Sequence, residues 1–210
     1  ATDAIDSLRR LANPAAAPAL LELFDKFPYR KAAIMRALGA TGATEAGPKL
    51  MKELEGDDIA AAARALGQLK YEPAFSAMLA TLPRSKYKDI DFSRPSVPSE
   101  MAYRNRLEAM QGLALFARPD EKLVKELTVI IEDPADDFRL GEVAGAVLGQ
   151  IADAGVYQLM LTKIMDANLD ERIRTAYATG LWRKPNAEVS VQLMPLVKAA
   201  DTPAAIKTAA

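Results

Sequence analysis

AAIMRALGATG, from Ala32 to Gly42, recurs as AAAARALGQLK from Ala60 to Lys70 and as VAGAVLGQIAD from Val143 to Asp153. LEAMQGLALFA (Leu107 to Ala117) and IRTAYATGLWR (Ile173 to Arg183) are looser copies. The column they share holds Gly39, Gly67, Gly112, Gly149 and Gly180, and IDSLRRLANP places Ala12 in the same column. Self-similarity at a spacing of a few tens of residues is the signature of a repeat architecture, so the fold is read from the unit rather than from the whole chain.

A second segment follows each copy. AAPALLELF (Ala16 to Phe24) aligns with AGPKLMKEL (Ala46 to Leu54), and FSAMLATL, KELTVII, YQLMLTKI and SVQLMPLV take the same place later. In AGPKLMKEL the apolar positions Ala46, Leu50, Met51 and Leu54 follow a helical period. Acidic turns separate the units and end at Asp58, Asp137 and Asp170. An Asp there can accept from the first free N–H groups of the next helix, so all three are expected to be N-caps. No segment alternates apolar and polar residues over a strand length. The expectation is an all-α solenoid of about six stacked antiparallel helix pairs, with Ala and Gly on the faces where helix axes approach closely. The predicted core is Leu38, Leu50, Leu54, Leu66, Leu79, Leu82, Leu113, Leu127, Ile131, Leu148, Met160, Ile164 and Leu181.

The two-helix unit with an A-x-A-L-G core and an Asp before its first helix resembles HEAT-like repeats, especially the short bacterial variety named after phycobilisome lyases. The resemblance covers the chain from about Thr2 to Ala200 outside one insert, with repeats near 2–28, 29–56, 57–83, 100–134, 136–167 and 169–200. Residues 84–99 form the insert, and 201–210 open a further helix of what reads as one repeat domain, complete or excised from a longer chain. The resemblance implies a superhelical binding scaffold. It also brings two alternatives, an accessory subunit of a bilin lyase and a nucleic-acid-binding protein. Relatives that hydroxylate a modified lysine need His–Glu metal pairs, and this chain has no His.

Composition narrows the chemistry. Without Cys or His there is no disulfide, thiolate nucleophile, Ser-His-Asp triad or His-ligated metal. No catalytic residue, metal or cofactor is expected. The 27 basic and 28 acidic residues nearly cancel, which disfavours a phosphate-tracking groove. No run is apolar for long enough to span a bilayer, and composition leaves cytoplasm and periplasm equally open. The acidic pairs Asp57–Asp58 and Asp136–Asp137 lie in turns and are read as capping residues. Trp182, in GLWRKP, is read as packing, and Pro195 is expected to kink the last full helix or to shift its start.

One segment breaks the repeat, RSKYKDIDFSRPSVPSEMAYRNR from Arg84 to Arg106. It carries six cations against three anions. Pro83, Pro95 and Pro98 oppose helix and favour an extended path. An insertion between repeats either forms a binding loop or plugs a gap in the stack. As a binding loop, Arg84, Tyr87, Phe92, Arg94, Tyr103 and Arg104 supply its anchors. Its partner is then another protein with an acidic or mixed surface, and a small molecule is disfavoured. A second candidate surface is the stripe Tyr157, Leu161 and Met165, which serves equally as contact with two neighbouring helices.

Overall fold

The computed structural model describes residues 2–181, 187–200 and 202–209. The chain is all-α, with 77% of its residues helical and no strand among the described residues. Thirteen helices follow in order: α1 Thr2–Leu11, α2 Ala17–Lys26, α3 Lys31–Thr41, α4 Gly47–Lys52, α5 Ile59–Gln68, α6 Phe75–Leu79, α7 Val97–Ala114, α8 Glu121–Glu132, α9 Phe138–Ile151, α10 Ala154–Met165, α11 Glu171–Leu181, α12 Ala187–Lys198 and α13 Ala204–Ala209. They form two compact units, one of residues 1–82 and 100–116, the other of 83–99 and 117–210. Helix α7 carries residues of both.

In the first unit α3 packs on α1 and α5, α2 packs on α3, and α4 packs on α5. Short 3-10 turns, Pro14–Ala16, Thr44–Ala46 and Glu72–Ala74, lead into α2, α4 and α6. The helices before them stop at left-handed residues: Ala12 (φ 47°) after α1, Gly42 (φ 73°) after α3 and Lys70 (φ 47°) after α5. Gly takes such a φ without penalty, whereas Ala and Lys do so under mild strain. This corrects the sequence register, because Ala12 corresponds to Gly42 and not to Gly39.

The second unit has the same grammar. Helix α9 packs on α8 and α11, α10 packs on α11, and α11 packs on α13.

The column glycines are places of contact. A Cβ built on Gly67 would overlap the backbone of Gly112, and one on Gly149 would overlap the carbonyl oxygen of Gly180. On Gly39 it would lie 2.7 Å from the Cα of Ala65. Gly145, absent from the column, meets the Ala176 carbonyl in the same way. Small residues therefore set the helix spacing, as the pattern led us to expect.

Twelve of the thirteen predicted core residues are buried. Leu79 is only half-buried. The short helix α6 ends at that residue and turns Phe75, Met78 and Leu82 inward instead.

Candidate functional site

The Arg84–Arg106 segment is two structures. Up to Ser96 it is a loop that opens with a 3-10 turn at Arg84–Tyr87, and from Val97 onward it is the start of α7. Ser96 stands at the N-cap position and Ser99 three residues on. The Ser99 N–H donates to Ser96 Oγ (3.2 Å) and the Ser96 N–H donates to Ser99 Oγ (2.9 Å). This is a reciprocal capping box with Ser in place of the usual acidic partner. Pro98 fits inside the first turn, where a missing N–H leaves no intrahelical bond unmade. The expected extended path is thus corrected: Pro98 starts a helix, and α7 begins inside residues 84–99.

The loop is held by its own polar groups. The Ser93 N–H and hydroxyl both donate to Asp91 Oδ1, at 2.9 and 2.6 Å. These two bonds keep the Asp91 carboxyl below its ordinary range. Ser99 Oγ, buried at 3% exposure, reaches the Arg94 carbonyl at 3.2 Å. Arg84 pairs with Asp133, just past the C-terminus of α8, at 3.6 Å.

The candidate anchors divide between the two units. Arg84, Tyr87, Phe92 and Arg94 belong to the second, and Tyr103 and Arg104 to the first. Tyr87, Phe92 and Tyr103 are half-buried, between the fully covered plug and the fully presented anchor that the sequence allowed. The Arg94 side chain is 87% exposed, with Asp91 at 4.0 Å. Arg104 is exposed on α7.

Arg106 is not a surface cation. It is fully buried on α7 in the first unit, and its Nε donates to the Leu82 carbonyl at 2.7 Å. Arg174 repeats the arrangement on α11, with its Nε 2.9 Å from the Ile164 carbonyl. RLEAMQG (Arg106 to Gly112) and RTAYATG (Arg174 to Gly180) share this spacing to the column glycine, a signal the sequence carried unread. With Arg106 inside, the segment's surplus falls from +3 to +2 at the surface.

The second candidate stripe is mostly interior. Tyr157 is 8% and Leu161 4% exposed, and burial raises the Tyr157 pKa, while Met165 is 47% exposed. The two faces of α10 thus serve packing, and only Met165 reaches solvent. Nearby, the fully buried Tyr177 donates its hydroxyl to Glu132 Oε1 (2.8 Å), and Lys163 Nζ lies 2.7 Å from the same oxygen. Burial, with the hydrogen bond to Glu132 and the charge of that carboxylate, pushes the Tyr177 phenol far above its ordinary range.

Of the expected caps, Asp137 accepts from the Arg139 N–H (3.0 Å) and Asp170 from the Arg172 N–H (2.8 Å). Asp58 precedes α5 but makes no side-chain cap bond, since its backbone (φ −105°, ψ 34°) is not the extended one a cap uses. Asp120 and Asp153 cap α8 and α10, two caps not read from the sequence. Pro195 lies inside α12. Trp182 falls outside the described residues.

Among the described residues no group of three or more His, Cys, Asp or Glu side chains could hold a metal ion. No helix among them is long and apolar enough to cross a membrane. Compared with protein-family models and with curated proteins, the sequence matches none.

Proposed function

We propose that this protein is a non-catalytic scaffold of HEAT-like helix pairs that binds another protein, with the Arg84–Arg106 segment as its contact. Contacts between successive first helices, α1 with α3 and α5, and α9 with α11 and α13, support the repeat reading. One observation carries the contact. The loop is pre-ordered by the Asp91–Ser93 and Ser96–Ser99 bonds and yet holds Arg94 87% exposed beside the half-buried Phe92. A loop already ordered loses less conformational entropy on binding, and an Arg next to aromatic area suits an acidic or mixed protein surface.

The test compares the chain with its Tyr87→Ala/Phe92→Ala/Arg94→Ala variant. Proteins captured on each would be identified by mass spectrometry and then titrated individually. Retained far-UV signal with binding weakened at least tenfold, about 1.4 kcal/mol, is expected. Undiminished capture refutes the contact, and an unfolded variant shows that the segment is a plug.

A further inference from the structure

We propose that the outer face of α12, in the second unit, is a docking surface for an amphipathic helix supplied by a partner. That helix would bear an aliphatic and small-residue stripe and would lie along α12 beyond the end of α13. Val189 and Leu193 turn inward, at 7% and 3% exposure, while Val191, Met194 and Val197 stand out at 72%, 45% and 38%. At a helical period these three occupy roughly a third of the circumference. The run from Val189 to Val197 contains no charged residue, so a partner must match this face with apolar atoms.

The fold indicates what kind of element fits. Each of α2, α4, α8 and α10 packs against the first helix of the following pair, namely α3, α5, α9 and α11. Helix α13 stands next in that series and touches both α11 and α12, but it has six residues where α11 has eleven. It follows α12 across a short turn, so its first residues lie nearest the C-terminus of α12. Exposure rises away from that end, from Val197 through Met194 to Val191, which marks the part of α12 that six residues leave uncovered. A second copy of the chain is the poorer occupant. Three side chains on one helix fall far short of the roughly 800 Å² per partner that a stable dimer buries. A single helix packed into a preformed slot needs much less.

The absence of Cys allows a direct test, because Val191→Cys provides one attachment point for an environment-sensitive dye. The probe is a synthetic peptide of residues 57–70, the sequence of α5 with its preceding acidic pair, whose alanines favour helix in isolation. A saturable blue shift is expected at Val191, with none at a dye on Gln192→Cys, off the stripe. Adding Met194→Lys and Val197→Lys should raise the midpoint at least tenfold while the far-UV spectrum stays the same. No saturable shift, or an equal shift in the Lys variant, overturns the proposal. A shift that grows with protein concentration alone assigns the face to a second copy and overturns it as well.

Discussion

At the seam between α9 and α11, the chain leaves no room for one methyl group on Gly149 before the carbonyl oxygen of Gly180. In the loop from Arg84 to Ser96, the Arg94 side chain is 87% exposed and the polar contacts run largely between residues two to five apart. The repeated motif spends its residues on helix spacing, so a change there propagates to the neighbouring helix. The insert spends its residues on its own hydrogen bonds, so a change there stays local and leaves the surface free to evolve for a partner. Repeat position and insert position thus differ in what a substitution should do, and the difference is measurable.

The largest effect should come from Gly149→Ala. Its added Cβ must push against backbone, which cannot rotate away as a side chain can, and a loss of about 3 kcal/mol is expected, the upper end of the overpacking range. Gly141→Ala, in the same helix, sharpens the argument. There the nearest atom to an added Cβ is the Ile131 Cα at 3.9 Å, an ordinary contact. Replacing a helical Gly without a clash should stabilise by roughly 0.5–1 kcal/mol. Urea unfolding of the two variants checks both signs. Equal losses would mean that helix propensity, not spacing, governs the glycine positions.

Two arginines from the same quoted segment give the next comparison. Arg106→Met removes the donor to the Leu82 carbonyl in a fully buried site and should cost about 2 kcal/mol, since an orphaned buried acceptor adds to the lost charge-assisted bond. Arg94→Ala removes an exposed ion pair with Asp91 and should lie within about 0.5 kcal/mol of the parent. Similar midpoints in denaturant would remove the distinction drawn between the loop and α7.

How far the sequence reached follows the same division. Helix content, the pairing of segments and the close approach at Gly67, Gly112, Gly149 and Gly180 were legible because a repeated motif reports one packing solution several times. Twelve of thirteen core positions followed from that register. Ala12 was misaligned because its conformation, the left-handed stop it shares with Gly42, has no residue-type signature when Ala or Lys occupies it. The insert was less legible. Its prolines were read as helix breakers without regard to position, and Pro98 sits at the one place in a helix where Pro is welcome. Arg106 looked like a surface cation because a single sequence does not say which turn of a helix faces inward. Its match with Arg174, each ahead of a column glycine, was the available clue.

The smallest effect separates two aspartates that look alike in sequence, each the second of an acidic pair before a first helix. Asp137 has extended backbone (φ −65°, ψ 113°), accepts from the Arg139 N–H and pairs with the Arg139 guanidinium at 2.7 Å. Asp58 makes no cap bond before α5. Asp137→Ala should therefore cost about 1 kcal/mol, the usual loss for an N-cap, and Asp58→Ala only a few tenths. Midpoints in denaturant resolve the two, and amide exchange adds a local readout. The Arg139 N–H should exchange faster once its acceptor is gone, whereas the first amides of α5 should not change in Asp58→Ala. Equal protection loss at both sites would mean that the acidic turns act through helix-end charge rather than through the bond, because charge near a helix N-terminus stabilises without any particular cap geometry.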